Sequence, residues 1–475
     1  MQQGVEKMRR ERSPGVRLML AGLVAVVLIV PLMMVYALVY DRENQSQQAQ
    51  AQITRGWGGP QTITGPVLVI PFTAQTVEAE TVDGVVTERR RQVRRELFVS
   101  PMQQAIDTRL DPDRKGYAIY QSVVYSGALE GTASYTLTSE LDRLDITRDQ
   151  LMFDEAELRF GIADTRGLSD GASVVAGGER LELSPGNGPL ATGGSGFSAP
   201  VSKWDGEGAL DVRWSYGLRG TQSLSLIPRG GETEWTVTSP WPHPSFTGGY
   251  LPEPSQTQTS ADGFKAVYPG ITNLALGQGI MSISDHSAGY PQEATTMDPR
   301  MERARASNAE GAQPATIGLV EPVDLYSQVD RAVKYGFLFI GFTFAALLMF
   351  DIVGGARVAA AEYLLTGAGL ILFFVMLLAF AEVIGFSLAY LLAAAAIIGL
   401  LTAYSAAVLG TWRRAGFIGV MLAALYGVLF VLLNEETYSL IIGSLLLFGA
   451  LAGVMFATRN VDWSSVGRSE DEAIA

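Results

Sequence analysis

Two histidines, His243 and His286, and no cysteine are all that this chain of 475 residues offers to imidazole or thiolate chemistry. The lack of cysteine removes disulfides, thiolate nucleophiles, iron–sulfur clusters, Cys-ligated zinc and lipoprotein-type acylation by arithmetic. His243 lies in Trp241-Pro-His-Pro-Ser-Phe246, which runs on into Thr247-Gly-Gly-Tyr-Leu-Pro-Glu-Pro254. A residue before proline is pushed toward an extended conformation, so Trp241 and His243 are both held open. Gly248 and Gly249 then allow a sharp reversal. The pattern predicts a stiff, aromatic-lined corner, and Trp241, His243, Ser245 and Phe246 are its candidate functional residues. The plainer reading has Trp241 and Phe246 in a core and His243 bonded to a backbone group, since a lone histidine is a weak catalytic or metal signal. His286, beside Asp285, is the other candidate partner, and nothing in the spacing supports that pairing. No GxSxG, HExxH or Walker pattern occurs. The sequence predicts no catalytic residue, no cofactor and no metal.

A second set of residues could act by position rather than by reaction. Asp324–Phe350, DLYSQVDRAVKYGFLFIGFTFAALLMF, turns halfway from a charged helical start into a run that water does not tolerate. Asp330 and Lys334 have the i, i+4 spacing of a helical ion pair. Tyr326 and Tyr335 suit a membrane interface, where amphipathic rings anchor. Asp324, Tyr326, Asp330, Arg331 and Lys334 are therefore the candidate juxtamembrane coupling residues. On the plainer reading they only set the depth of the helix.

The elements that would position both sets follow from composition. The chain is 48% hydrophobic, with a mean hydropathy of +0.20, and its apolar residues fall in blocks, as in membrane proteins. The net charge of −13 sits almost wholly between the first and second blocks. An acidic surface disfavours nucleic acid, which needs a clustered basic face. Residues 1–17 hold Lys7, Arg9, Arg10, Arg12 and Arg17, and residues 18–40 form an uncharged run long enough to span a bilayer. The competing reading, a cleaved signal peptide, calls for an apolar core of about 7–15 residues, shorter than this one.

Residues 41–333 contain no spanning window and read as a large β-rich domain, antiparallel and sandwich-like, with one or two lobes. Strand candidates are Tyr117–Tyr125, Glu130–Leu137, Glu157–Ile162, Ala209–Tyr216 and Thr221–Ile227, beside the proline-bracketed Pro66–Phe72. Asp83-Gly84 between extended stretches signals a two-residue hairpin. Its second arm carries Arg89, Arg90, Arg91, Arg94 and Arg95. Such a run usually solvates a face, and the sharper alternative is contact with anionic lipid head groups or envelope polymers. Met301–Pro314 reads as a connector or exposed loop.

Residues 334–457 read as five further membrane helices, at about 334–353, 362–381, 384–410, 415–433 and 437–457, which makes six in all. Placing the N-terminus inside puts Arg357, Arg413, Arg414 and Arg459 on the inner side, and Glu382, Glu435 and Glu436 in the outer short loops. That agrees with the positive-inside rule. It makes both termini and the tail 458–475 cytoplasmic, and residues 41–333 extracytoplasmic. No charged residue lies near a midplane, which argues against proton or ion coupling. Gly449 with Gly453, and Ala395 with Gly399, are small-residue pairs that permit close helix packing or a homo-oligomer contact.

Five stretches bring a family into view: TRGWGGPQTITGPVLVIP (Thr54–Pro71), WPHPSFTGGYLP (Trp241–Pro252), DLYSQVDRAVKYGFLFIGFTF (Asp324–Phe344), EYLLTGAGLILFFVMLLAFAEVIGF (Glu362–Phe386) and ATRNVDW (Ala457–Trp463). In this order they resemble the CreD family of bacterial inner-membrane proteins, from the first membrane segment to Trp463. The arginine-rich hairpin and Met301–Pro314 match less well. The resemblance implies a multi-pass inner-membrane protein linked to cell-envelope integrity, its large domain periplasmic, in a family associated with a carbon-source-responsive regulatory system. It implies no reaction and no catalytic residue.

Three functions compete at this point. The first is a non-enzymatic envelope protein whose outer domain engages an envelope or periplasmic protein partner while the helices hold the lipid bilayer. The second is a permease-like or lipid-handling component. The third, an outer-domain hydrolase, would need a carboxylate pair or a Ser-based site assembled by the fold.

Overall fold

The computed structural model describes residues 14–82, 85–117, 120–169, 171–285, 313–319, 325–352, 358–434 and 439–459. The chain divides into two units, Met1–Gln47 with Val323–Ala475, and Gln48–Pro322. Asp83-Gly84, His286, Asp324, Arg357, Glu435, Glu436 and nearly all of Met301–Pro314 lie outside the described residues.

Helix α1, Pro14–Trp57, is 44 residues long, about 66 Å at the α-helical rise. It overruns the predicted span 18–40 because Asp41–Trp57 is rich in Gln, Ala and Arg, which favour helix without needing an apolar solvent. Pro31 does not break it. The helix stops at Gly58, whose φ of +122° is open only to glycine. Its N–H still bonds Thr54 O at 3.0 Å. Ala21, Val24, Leu28, Val35 and Val39 recur at helical spacing and are buried, while Leu23, Val27, Val30 and Met34 are exposed. One stripe packs on protein and the rest presents apolar surface.

Among the described residues seventeen strands build the second unit: β1 Gln61–Val82, β2 Val85–Val99, β3 Gln103–Tyr117, β4 Tyr120–Tyr135, β5 Glu157–Ile162, β6 Ser173–Ala176, β7 Glu179–Arg180, β8 Ser184–Pro185, β9 Gly196–Pro200, β10 Leu210–Thr221, β11 Ser223–Ile227, β12 Glu232–Ser239, β13 Pro244–Gly248, β14 Gln258–Ser260, β15 Gly263–Thr272, β16 Met281–Ser282 and β17 Ala315–Leu319. Two one-turn helices, α2 Glu140–Arg143 and α3 Asn273–Leu276, join them. One sheet runs β13-β17-β11-β1-β5-β9-β8, with β2 and β16 attached. The other runs β14-β15-β12-β3-β4-β10-β6-β7. In β3, β10 and β12 buried and exposed residues alternate, so each buries one face.

Both sheets feed one hydrophobic core, in which Trp235, Tyr125, Tyr135, Tyr268 and Phe160 are fully buried. The two-lobe alternative is thereby replaced by a single core. The pairing is mostly antiparallel, as expected, with two exceptions, since β1 meets β11 and β12 meets β3 in parallel. The predicted strand Tyr117–Tyr125 falls on the last residue of β3 and the start of β4, with Tyr117 opposite Tyr120.

The remaining helices are α4 Leu325–Lys334, α5 Gly336–Ile352, α6 Ala360–Ile384, α7 Phe386–Leu409, α8 Trp412–Asn434 and α9 Ser439–Thr458. Among the described residues five stretches are long and apolar enough to cross a membrane: Leu18–Trp57, Leu325–Asp351, Ala360–Ile384, Phe386–Leu409 and Trp412–Leu433. The chain turns at Tyr335, between α4 and α5, so the second span begins as a separate amphipathic helix. Inside this unit Phe339, Phe373, Phe374, Tyr390 and Tyr426 form an aromatic cluster, with the Tyr390 hydroxyl donating to Tyr426 O at 2.7 Å.

Among the described residues, Gly399 and Gly449 of the small-residue pairs make no close approach to another helix. A Cβ on Gly399 or Gly449 would meet no described atom within 4 Å, whereas one on Gly367 would sit 2.0 Å from Leu28 Cδ1. Gly367→Ala is therefore expected to overpack the α1–α6 contact and cost about 1–3 kcal/mol. Gly399→Ala should stay within about 0.5 kcal/mol of the parent. Thermal melts of the detergent-solubilised chain, followed by helical circular dichroism, compare the two directly.

Candidate functional site

A network of polar contacts in the β-rich unit surrounds the last turn of α1. Trp57 leaves the helix with its indole N–H donating to Tyr125 O at 3.2 Å. Lys115 Nζ lies 5.1 Å from its ring centroid and the Arg219 guanidinium 5.0 Å. Each cation over an aromatic face contributes about 0.5–1 kcal/mol when exposed and more when desolvated. Lys115 comes from the end of β3 and Arg219 from the end of β10, strands that both flank β4. The sheet order therefore brings them to one edge.

Below the ring the chain is fixed by backbone bonding. Gly59 donates to Asp164 Oδ2 at 3.1 Å, and Gly59 O accepts from Thr221 N–H at 3.2 Å. Gln61 donates to Arg219 O and Asp164 O at 2.9 and 3.1 Å, and accepts from Asp164 N–H at 3.2 Å. Arg166 reaches back to donate to Arg55 O at 3.2 Å, a cation at the negative end of the helix dipole. The result is a socket for the end of a helix. Its geometry holds a position; it presents no nucleophile beside a base.

Asp164 is the electrostatic centre of this socket. Arg166 grips its carboxylate with Nε and Nη2 at 2.9 and 2.7 Å, and backbone N–H groups of Arg166 and Gly59 add further bonds. The Arg166 hydrogen bonds hold the Asp164 pKa down to about 2, against a smaller upward push from burial. In the unfolded chain the group titrates at about 3.9. The folded state then binds this proton less readily, so the contribution is fully present above about pH 4 and is lost as pH falls through about 2. Asp164→Asn should flatten the parent's loss of stability between those values. Urea midpoints of the full chain from pH 6 to pH 2, read by tryptophan fluorescence, measure it; identical acid slopes would show that the carboxylate carries no such weight.

The corner residues are placed differently from one another. Trp241 is 9% exposed, its N–H bonded to Ser239 Oγ at 3.2 Å and the Arg114 guanidinium 5.8 Å from its ring. It is part of the hydrophobic core, as on the plainer reading. Phe246 meets Phe264 edge-to-face at 5.8 Å. Ser245 and Phe246 are half-buried on β13, paired with Gly318 and Ile317 of β17, and His243 is exposed. A surface groove of about 450 Å³ runs beside Ser239 and Pro240, and His243 is not among the residues lining it. Asp285 is occupied elsewhere, in a buried ion pair with Arg229 and a 2.7 Å bond from Leu190 N–H. Among the described residues no group of three His, Asp or Glu side chains is placed to hold a metal.

The juxtamembrane residues fall on α4, apart from Asp324. Asp330 and Lys334 pair at 2.6 Å, Arg331 is half-buried, and Tyr326 is buried with its hydroxyl donating to Glu382 Oε1 at 3.3 Å. Arg42 Nε lies 4.0 Å from the same oxygen. One carboxylate at the end of α6 thus links α1 and α4. Sequence reading missed this role of Glu382, and it missed the whole Trp57 socket. An aromatic followed by Gly-Gly-Pro at the end of a polar helix is a local stop signal, whereas Asp164 and Arg219 carry none.

The comparisons with known proteins cover nearly the whole chain. A family model described as inner membrane protein CreD matches residues 13–464. The inner membrane protein CreD of Escherichia coli strain K12 is 30% identical over 442 residues, which is 92% of this chain and 90% of that protein. The match takes in the helices, the socket sequence and the strand-rich region together. The chain belongs to the CreD family of inner membrane proteins.

Proposed function

We propose that this chain is a non-enzymatic, six-span inner-membrane protein that contributes to cell-envelope integrity. Its termini are cytoplasmic, and the β-rich unit lies in the periplasm, engages an envelope partner and is coupled to the helical bundle. The observation that carries the coupling is α1. One unbroken helix begins in an apolar span and ends in a socket of Trp57, Lys115, Arg219 and Asp164. The orientation rests on the placement of arginines in the short loops. The absence of cysteine makes the topology directly testable. Thr236→Cys is expected to react with a membrane-impermeant maleimide in cells whose outer membrane is permeabilised, and Ser469→Cys only after lysis. The reverse pattern would overturn the orientation. Coupling is tested by a Gly-Ser insertion after Gln48, which should impair envelope function while leaving expression and the fold of the β-rich unit intact. A matching insertion after Gln328 asks whether α4 shares the role. Unchanged envelope function in both would leave the helices as anchors only.

A further inference from the structure

The chain passes between its two units twice, on α1 at Gln47–Gln48 and ahead of α4 at Pro322–Val323. Both passages lead to one carboxylate inside the helical unit. Arg42, six residues before Gln48, and Tyr326, three residues after Val323, approach the same oxygen, Glu382 Oε1, at 4.0 and 3.3 Å. Tyr326 is 6% exposed and the Glu382 side chain 11%, so hydroxyl and carboxylate meet away from bulk solvent.

The place of Glu382 on its own helix is unfavourable. It stands in the last turn of α6, which ends at Ile384, where a helix presents its negative end. Burial adds to the cost of a carboxylate unless a donor or a cation faces it. Among the described residues those partners come from α1 and α4, and none comes from α6. The charge is locally costly, and what offsets it is contact with two other helices. A local misfit of this kind marks a position chosen for its tertiary role.

The rest of α4 suits a helix held in place. Val329, Ala332 and Val333 are buried on the same helix as Tyr326, and Asp330 pairs with Lys334. Lys334 also interacts electrostatically with Glu43 of α1, a second and solvent-screened route between the same two helices. We infer that Glu382 is a positioning residue that ties α1 to α4, so that a displacement of one helix at this level passes to the other through its carboxylate. The tie is a property of the helical unit, and any effect of it on the envelope rests on the coupling proposed above.

The test is hydrogen exchange read by mass spectrometry on the full chain in nanodiscs, in peptides covering Leu325–Lys334. Tyr326→Phe, which removes only the hydroxyl, should speed exchange in α4 about tenfold, the worth of a hydrogen bond to a charged group. Arg42→Gln lies on the other helix and should still speed α4 exchange about two- to fivefold, the range of a part-exposed ion pair. In a Glu382→Gln background, adding Arg42→Gln should change α4 exchange no further. A residue that merely packs the end of α6 would not abolish an effect between two other helices. Should Glu382→Gln fail to fold, Glu382→Asp, which keeps the charge and shortens its reach, takes its place and should weaken the Arg42 effect. An R42Q chain whose α4 exchanges like the parent's overturns the proposal. So does an R42Q effect that persists without the Glu382 carboxylate, which would assign the relay to Glu43 and Lys334. Envelope function separates the tie from the coupling. An Arg42 effect abolished by E382Q, with envelope function intact, upholds the tie and overturns the coupling. Envelope function lost after the Gly-Ser insertions, with no Arg42 effect on α4, does the reverse.

Discussion

Replacing Arg229 by Met is expected to destabilise the β-rich unit by about 3–5 kcal/mol, the cost of leaving a buried carboxylate without its partner. Arg229 and Asp285 form an ion pair with side chains only 5% and 3% exposed. Burial brings the Arg229 pKa down to about 10, still well above neutrality, so the guanidinium stays charged. Asp285 also accepts from Leu190 N–H at 2.7 Å, and Arg229 O accepts from the Thr233 hydroxyl at 2.8 Å. The pair therefore pins the β11–β12 connection to the Pro189–Thr192 turn and to the chain that follows β16. Removing both charges together, Arg229→Met with Asp285→Leu, should recover most of the loss, since an apolar pair of similar volume is often as stable as a buried ion pair. Urea midpoints from tryptophan fluorescence close the double-mutant cycle. An R229M midpoint equal to the parent's would show that the pair is neutral for stability.

The second large effect is expected at Trp235. Its side chain is fully buried between the sheets, stacked on Tyr268 at 5.1 Å, with its indole N–H donating to the Thr108 hydroxyl at 3.0 Å. Trp235→Ala removes that contact area and opens a cavity, for an expected loss of about 3–5 kcal/mol. It also leaves a buried hydroxyl without its donor, which adds to the loss. Trp235→Phe should lose less, because the stack survives and only the indole edge is missing. The same urea titration, read by circular dichroism because the mutation removes a fluorophore, ranks the three proteins. Equal midpoints for Ala and Phe would show that the stack contributes little.

Both effects concern residues that sequence reading passed over, while several of those it chose proved quieter. Arg229 stands in a Pro-Arg-Gly-Gly turn and reads as a surface charge. Its partner Asp285 lies far along the chain, on a segment without periodicity. His243 drew attention as a rare residue between prolines, yet rarity is no measure of surroundings, and it is exposed on the approach to an edge strand. The Asp330–Lys334 spacing, in contrast, is a contact within one helical turn, and the two side chains meet.

What the sequence by itself determined is whatever depends on local solvent preference and period. Two apolar helices, Ala360–Ile384 and Trp412–Asn434, coincide with the apolar blocks Glu362–Ala381 and Ala415–Leu433 to within a few residues. Alternation placed Glu157–Ile162 without error. Asp83-Gly84 marked a hairpin whose flanking residues Val82 and Val85 do pair. Only the tertiary structure decided that both sheets share one core, that β1 and β12 each take a parallel neighbour, and that Lys115 and Arg219 both meet the Trp57 ring. It alone decided which glycines helices press against. The physical reason is separation along the chain. Helix and strand rules act over a few residues, whereas Trp57 and Arg219 are joined by a sheet order that no local propensity encodes.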